Sequence, residues 1–316
     1  MEPVRKYSVE LILLAALAAS VGFFGYLGYG LVQAPTVEPA FSGEMALADA
    51  EAQMAFGPRV TGSEAHRQMG DWLVETLQAA GWEIFIQPFP VADGIEARNI
   101  IAVRGEGPVA ILGAHYDSRL VADRDPDPKQ RSRPVPGAND GASGVAVLTE
   151  LARTLNVQAS GHTVCLVFFD AEDNGRIPGW DWILGSRYFV ANLDKFPRCG
   201  EPRFAVIVDM IGDADQQVYL ESNSSDVLSD AIWETAGELG YGDWIIPEYR
   251  YRITDDHIPF LEAWYLAADM IDFDYPYWHT TQDTLDKLSA ESLERIGRTL
   301  EVWLEAGAPF QEPAGN

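Results

Sequence analysis

The sequence predicts an α/β protein with a mixed, largely parallel central sheet, helices on both faces and an N-terminal transmembrane helix before it. Three observations predict this architecture. Short runs rich in valine, isoleucine and phenylalanine alternate with helical stretches. The chain has 316 residues and is 47% hydrophobic, which is enough to bury one substantial core. An uncharged apolar run fills residues 11–32.

This N-terminal run reads LILLAALAASVGFFGYLGYGLV and follows Arg5 and Lys6. Its length suits a bilayer span, and the positive charge before it places the amino end in the cytoplasm and the remainder outside. A cleaved secretory signal is the alternative, because Ala16 and Ala18 form a weak cleavage match. We therefore predict a membrane-anchored protein with its folded domain outside the cytoplasm, or a secreted protein if the segment is cleaved.

The domain boundaries follow from the same patterns. Residues 1–32 form the cytoplasmic stub and the anchor or signal, 33–42 a linker with two prolines, 43–309 the folded domain and 310–316 a flexible tail. The first helix of the domain is expected to begin at a capping box formed by Thr61 and Glu64 and to end at Gly81. Strands are predicted at 84–86, 99–103, 109–114, 164–169 and 204–208. Further helices are predicted from Gly144 to Leu155, Gly185 to Leu193 and Ser289 to Leu304.

Charge and cysteine content exclude several classes of function. The formal net charge is −26, so nucleic acid is not a partner of the folded domain. The two cysteines, Cys165 and Cys199, are too few for a disulfide framework and do not form a CxxC motif. Whether these two cysteines form a disulfide with each other stays open.

Acidic and histidine side chains follow the predicted strands at the points where the strands end. In open α/β sheets, ligands bind beyond the carboxyl ends of the strands, so these positions are candidate site residues. The candidates after the strands are His115, Asp117, Asp170, Glu172, Asp173 and Asp209. Two further segments, 137–141 and 277–281, add Asp140 and His279.

This set suits catalytic zinc, which takes three protein ligands from histidine, aspartate and glutamate and leaves a position open. Asp140, Asp173 and His279 meet that need. Glu172 lies beside Asp173, and neighbouring residues on an extended chain point in different directions. One of the pair can therefore coordinate metal while the other stays free for proton transfer.

Each residue also has a structural interpretation. Asp140 can simply cap the helix that follows it. His115 and His279, taken singly, can be hydrogen-bonded structural histidines. The shared setting of these residues favours a functional role for them, because only five histidines occur in the chain and two of them fall in acid-rich strand-end loops. His66 and His162 have no such setting, and no role is predicted for them.

Six ordered segments carry a family resemblance that covers residues 45–304: GAHYDS (113–118), GANDGASGVAVLTELAR (137–153), VFFDAED (167–173), LGSRYF (184–189), TDDHIPF (254–260) and WHTTQDT (278–284). With these segments the chain resembles the co-catalytic zinc exopeptidase family, which contains zinc aminopeptidases and the animal-type glutaminyl cyclases. The resemblance implies a zinc exopeptidase-like fold and a zinc-dependent catalytic domain over residues 43–309. It also implies a peptide or protein N-terminus as substrate.

Carried over residue by residue, the resemblance makes Asp140, Asp173 and His279 zinc ligands and Glu172 the general acid and base. His115 and Asp209 occupy the positions that bind a second metal in the aminopeptidases. In the cyclases these two positions are filled by the same residue types, but one zinc is the rule and the aspartate joins a hydrogen-bonded acid network.

Three features resemble the cyclases. Asp255 stands where aminopeptidases usually have serine, and it matches the network partner that would act with Glu172 and Asp209. Trp278, directly before His279, is expected to form an apolar wall of the substrate pocket. The stretch 174–182 resembles a cyclase insertion and is expected to bring Trp180 and Trp182 near the rim.

Other features resemble the aminopeptidases. The segments GANDGASG and HTTQDT are closer to aminopeptidase versions of these motifs. Asp173 stands where the family commonly has glutamate. Ala268 and Asp269 stand where the cyclases place a histidine before the last ligand.

The sequence therefore predicts a zinc-dependent glutaminyl-peptide cyclotransferase with one zinc ion, which converts N-terminal glutamine to pyroglutamate and ammonia. The alternative is a zinc aminopeptidase with two zinc ions, the second held by His115 and Asp209. A third hypothesis is an inactive anchored binding module of the same fold, although all five ligand positions carry coordinating residue types. The sequence leaves the oligomeric state open.

Overall fold

The computed structural model describes residues 11, 13–18, 20 and 40–311. Residues 11, 13–18 and 20 are helical and exposed. The rest of the predicted membrane span, residues 12, 19 and 21–32, lies outside the described residues. Within the described ranges, no helix has the length and apolar character needed to cross a bilayer. The anchor therefore stays a prediction.

A six-stranded mixed sheet forms the centre of the domain, in the order β1-β2-β4-β3-β5-β8. The strands in this sheet are β1 (Glu83–Pro90), β2 (Glu96–Gly105), β3 (Val109–His115), β4 (Thr163–Phe169), β5 (Pro202–Asp209) and β8 (Leu266–Ile271). The strands β4, β3, β5 and β8 are parallel, and β1 and β2 are antiparallel at one edge. Each predicted strand lies within an observed one, and the predicted mixed, largely parallel sheet is confirmed.

Helices cover both faces of the sheet. They are α1 (Gly43–Met54), α2 (Glu64–Ala79), α3 (Ala142–Thr154), α4 (Val157–Ser160), α5 (Leu184–Val190), α6 (Asp226–Glu238), α7 (Ile258–Glu262) and α8 (Ala290–Glu305). Side chains alternate between the two faces of β4, because successive residues of a strand point to opposite sides. Leu166 packs into the larger core with α1, α2, α3, α6 and α8, whereas Val167 packs into a smaller core with Phe189 of α5 and Phe260 of α7.

The capping box predicted at Thr61 and Glu64 belongs to the helix observed as α2, and it is wrong in its first residue. The side chain of Ser63 caps α2 by accepting a hydrogen bond from the backbone N–H of His66 at 3.2 Å. The Thr61 hydroxyl instead donates to Asp170 Oδ1 at 2.9 Å. Ser63 lies directly before the first helical turn, where its oxygen reaches an unpaired helix N–H, and Thr61 lies too early to do so.

The structure extends beyond the predicted elements, since the helices α1, α4, α6 and α7 were not predicted. A small parallel pair, β6 (Val218–Glu221) and β7 (Ile245–Tyr251), forms a second sheet. Packing also continues past both predicted domain boundaries. Phe41 is buried against Gly297 of α8, and Phe310 packs on Phe204 with ring centroids 5.9 Å apart.

Candidate active site and metal centre

The predicted site residues converge at the carboxyl ends of the parallel strands. His115 is the last residue of β3, and Asp209 is the last residue of β5. Asp173 follows β4, Asp140 lies in the turn before α3, and His279 lies in the loop after β8. The parallel arrangement of these strands brings their ends to one edge of the sheet, which is why residues far apart in sequence meet there.

Two groups of metal-ligand atoms share Asp140. In the first group His279 Nε2 lies 2.9 Å from Asp173 Oδ1 and 3.7 Å from Asp140 Oδ2. In the second group His115 Nε2 lies 3.2 Å from Asp140 Oδ1 and 3.1 Å from Asp209 Oδ1. Within each group one ligand atom per residue lies within 4.8 Å of the others. The two oxygens of Asp140 thus face opposite histidines, as a carboxylate that bridges two sites does.

The donor set fits zinc. Each group offers one imidazole and two carboxylates, and all five side chains are buried. Asp140 Oδ2 and Asp173 Oδ2 are buried and accept no hydrogen bond from any described residue. Carboxylate oxygens left without a donor in the interior carry a large desolvation cost, and a cation bound between them would offset it.

Asp117 braces the metal-ligating segment, a role that the sequence prediction missed. Its Oδ1 accepts the backbone N–H of Glu172 at 3.0 Å, and its Oδ2 accepts that of Asp173 at 3.3 Å. Its Oδ1 also lies 3.5 Å from His115 Nδ1. Gly141 makes this packing feasible, since a Cβ there would lie 2.5 Å from the Asp117 carbonyl oxygen and its φ is +106°. The sequence places Asp117 only among the strand-end candidates, without this role.

A second buried carboxylate, Asp283, fixes the turn that carries Asp140. Its two oxygens accept the backbone N–H groups of Asn139 at 2.8 Å and Asp140 at 3.2 Å. The Tyr275 hydroxyl donates to Asp283 Oδ1 at 2.7 Å. His279, four residues earlier, has a φ of +58°, an uncommon conformation for a residue with a side chain. Both metal-facing loops are therefore held by specific backbone interactions.

Glu172 lines the same cleft as Asp140, Asp173 and Asp209, and the additional acid Asp255 lines it too. Burial raises the pKa of Glu172 well above its usual value; His115 opposes this shift, and the neighbouring carboxylates of Asp173 and Asp255 add to it. Burial likewise raises the pKa of Asp209 to about 7, with His115 opposing and Asp255 adding. Burial also raises the pKa of Asp255. This part of the site therefore holds more acid groups than it has positive charge to balance.

The cleft has a volume of about 360 Å³ and pairs its acidic floor with aromatic walls. Trp278 lines it as predicted, with its ring centroid 4.0 Å from that of His279. Trp182 also stacks on His279, with ring centroids 5.9 Å apart, and lines the cleft. Trp180 does not line it: this side chain is buried beside Phe89, so its predicted place in the pocket is wrong.

Two histidines without a predicted role belong to the framework. His66 Nε2 lies 2.9 Å from Asp170 Oδ1, and its ring stacks on Tyr116 at 4.9 Å. His162 is buried and lies 2.6 Å through Nδ1 from the Ser160 carbonyl oxygen. Asp170 therefore stabilises the structure behind the site and does not belong to either metal group.

The smaller core contains a disulfide. Cys165 of β4 pairs with Cys199, with Cα atoms 6.1 Å apart. The sequence left this pairing open, and the structure forms it.

The chain is similar to known proteins over most of its length. Residues 99–304 match the model of peptidase family M28. Aminopeptidase YwaD of Bacillus subtilis (strain 168) is 30% identical over 201 residues, which cover 60% of this chain and 39% of that protein. The structure of a Zn-dependent exopeptidase from Parabacteroides distasonis superposes with a TM-score of 0.79 at 32% identity, covering 84% of this chain and 98% of the other.

A glutaminyl cyclase is equally similar. The Bacteroides thetaiotaomicron enzyme, solved with N-acetylhistamine, superposes with a TM-score of 0.77 at 34% identity, covering 85% of this chain and 98% of the other. The chain spans less than half of the length of aminopeptidase YwaD and nearly the full length of the two solved structures. The family resemblance drawn from the sequence motifs is confirmed, and the chain belongs to peptidase family M28.

Proposed function

We propose that the chain is a zinc-dependent glutaminyl-peptide cyclotransferase that converts an N-terminal glutamine into pyroglutamate and releases ammonia. The observation that carries this proposal is Asp255, a buried acid that lines the cleft beside Glu172 and Asp209. An acid at this position can share a proton with its neighbours and accept a hydrogen bond from the α-amine of the substrate. The similarity to the Bacteroides cyclase supports the same activity.

Asp140, Asp173 and His279 would hold the zinc ion, which when bound polarises the γ-amide carbonyl of the substrate glutamine. The chain's own residues bring the reacting groups together. Trp278 and Trp182 enclose the glutamine side chain between apolar walls. Enclosure in a folded-back conformation places the α-amine near the γ-carbonyl carbon, so an intramolecular reaction needs no further partner.

Glu172 moves the protons in this reaction. The α-amine attacks the γ-carbonyl carbon, a ring C–N bond forms, and Glu172 accepts a proton from the amine. The bond from that carbon to the amide nitrogen then breaks, and Glu172 returns the proton to the departing ammonia. Its raised pKa suits a group that must donate a proton as well as accept one. Asp209 and Asp255 orient the amine.

The test is an assay of the full chain with a glutamine-led peptide, in which the products are separated by mass. Pyroglutamyl peptide and ammonia in equal amounts are expected. Free glutamine and a shortened peptide would contradict the proposal and establish an aminopeptidase. Leucine-led peptides serve as a control, because a cyclase leaves them unchanged.

The aminopeptidase is the second candidate, and one observation favours it. The second group, His115, Asp140 and Asp209, offers the same donor types as the first and shares Asp140 with it. In that reaction water attacks the scissile carbonyl and Glu172 accepts its proton. Zinc analysis separates the candidates, with one ion per chain expected for the cyclase and two for the aminopeptidase.

We further propose that the N-terminal segment of residues 11–32 anchors the protein, with the catalytic domain outside the cytoplasm. The Cys165–Cys199 disulfide supports this location, because disulfides persist in oxidising compartments. Membrane fractions of cells that produce the full chain are expected to contain it, and added protease is expected to cleave the domain in spheroplasts. Recovery in the cytosol would overturn the proposal.

A further inference from the structure

Three arginines from separate segments surround the mouth of the cleft. Arg124 lies in the loop after β3, Arg176 in the stretch after Asp173, and Arg252 directly after β7. All three side chains are exposed and line the cleft. The carboxylates that line the same cleft are buried, so its acidic groups lie inside and its basic groups at the exposed rim; these carboxylates are Asp140, Glu172, Asp173, Asp209 and Asp255.

These arginines lack carboxylate partners. Among the residues that the structure describes, no Asp or Glu oxygen lies within the 4.0 Å ion-pair limit of the guanidinium groups of Arg124, Arg176 or Arg252. Among the described exposed arginines elsewhere, some pair with a carboxylate, as Arg187 does with Glu262 at 3.2 Å, whereas Arg104, Arg131 and Arg133 do not. The specific feature of Arg124, Arg176 and Arg252 is therefore their shared position, because all three line the cleft that holds the predicted site residues.

Arg124 is also held in place. Its guanidinium carbon lies 4.0 Å from the ring centroid of Trp278, and its backbone N–H donates to the His279 carbonyl at 3.2 Å. The stacking leaves the guanidinium N–H groups free to donate in the plane of the group. This cation is therefore fixed directly above the wall that encloses the first residue of a substrate.

This polarity matches one kind of substrate. The N-terminal amine of a bound peptide lies on the acidic floor near Glu172 and Asp255, and the following residues leave through the mouth. Successive residues of an extended peptide advance by about 3.3–3.6 Å, so its second and third side chains lie at the arginine rim. We propose that Arg124, Arg176 and Arg252 select peptides with aspartate or glutamate at the second or third position. This inference rests on the proposed action at peptide N-termini.

The experiment compares matched peptide amides, which lack a terminal carboxylate. The pair Gln-Glu-Ala-amide and Gln-Gln-Ala-amide differs only in charge at position two, and Gln-Ala-Glu-amide and Gln-Ala-Gln-amide make the same comparison at position three. The full chain is expected to prefer one glutamate peptide by roughly fivefold or more in kcat/KM, mainly through KM. Raising the ionic strength from about 0.05 M to about 0.5 M is expected to reduce this preference, because exposed charges are screened.

Substitutions of the rim arginines test whether they cause the preference for glutamate peptides. In the double variant Arg176→Gln and Arg252→Gln the ratio is expected to fall towards one, mainly through loss of kcat/KM for the glutamate peptides. Arg104→Gln is the matched control, an exposed arginine outside the cleft, and it is expected to keep the wild-type ratio. Arg124 is left intact because it contacts Trp278.

Each outcome decides a separate question. Equal kcat/KM values for charged and neutral peptides in the wild type would overturn the selection, even with normal cyclisation. A preference that survives in the double variant would overturn the assignment to Arg176 and Arg252. Release of free glutamine in place of pyroglutamate would contradict the cyclase proposal but leave the charge preference measurable on the released product.

Discussion

The two metal-ligand groups that share Asp140 differ in the charges around them. Beside the first group, Arg119 Nη1 lies 3.8 Å from Asp173 Oδ1 and donates to the Asp173 carbonyl oxygen at 2.6 Å. Beside the second group no described arginine or lysine pairs with Asp209, and Asp255 adds a further carboxylate. Burial raises the pKa of Asp173 to about 6 and that of Asp209 to about 7.

We call Asp140, Asp173 and His279 the first half of the site, and His115, Asp140 and Asp209 the second half. The two halves differ in how their negative charge can be balanced. The first half has a positive charge, Arg119, beside its three candidate zinc ligands. The second half has more carboxylates than positive charges near it, and this negative charge can be balanced in two ways. A proton shared among Asp209, Asp255 and Glu172 balances it as in an acid network, and a second cation balances it as in a two-metal site. The choice between the two activities therefore lies in the second half.

The sharpest test removes one histidine from each half. His279→Ala is expected to abolish stoichiometric zinc binding and activity, because the first half loses one of three ligands. His115→Ala is expected to retain one zinc ion per chain, since a cyclase does not use the second half for metal. Metal analysis of both purified variants measures this. Loss of zinc in both variants to the same degree would mean that the two halves bind metal as one unit.

Glu172→Gln tests the group that serves both halves. The amide keeps the size of the side chain but cannot accept a proton, so activity is expected to fall by roughly 10²- to 10⁴-fold. Zinc content is expected to stay normal, since Glu172 is not a ligand. Turnover of a glutamine-led peptide and metal analysis on the same sample check both statements. Normal turnover together with normal zinc would rule Glu172 out as the proton carrier.

Sequence reasoning was accurate where one signal dominated. The strands β3, β4 and β5 are buried on both faces, so they read as continuous apolar runs. The helix α1 was missed because the buried positions include the polar Asp49 and Gln53 beside small alanines, which leaves no apolar stripe. The short strands β6 and β7 were missed for a similar reason, because most of β7 is exposed.

The site shows the same division. Ligands at strand ends could be predicted because the carboxyl ends of parallel strands must meet at one edge. The sequence could not predict which of Trp180 and Trp182 lines the cleft, since the stretch 174–182 has no periodic pattern. Its folded path brings Trp182 to the cleft and buries Trp180. The role of Asp117 was also hidden, because it contacts backbone N–H groups that sequence does not display.

Asp117→Asn tests whether the hydrogen bonds that Asp117 accepts from the backbone of Glu172 and Asp173 support metal binding. An asparagine can accept only one of the two backbone N–H bonds, and its amide N–H₂ faces the other donor. Zinc affinity is expected to weaken by about 10- to 100-fold, as for other residues that orient metal ligands. Competition with a chelator measures the affinity. Asp170→Asn is the matched control, a buried strand-end aspartate outside the metal groups, and an equal loss of affinity in it would show that the effect is general destabilisation.

The smallest effect is expected for Asp255→Asn, which removes the extra charge of the second half without changing its volume. Cyclisation is expected to slow by about tenfold, close to the loss of one hydrogen bond to a charged group. Because Asp255 would accept a hydrogen bond from the substrate's α-amine, the loss in kcat/KM should come mainly from a higher KM for the glutamine peptide, with zinc content unaltered. Asp256→Asn is the control, since this neighbour is fully buried and does not line the cleft. If the two variants lose activity equally and melt at the same lowered temperature, Asp255 is a structural residue, and the charge difference between the halves must act through Asp209 alone.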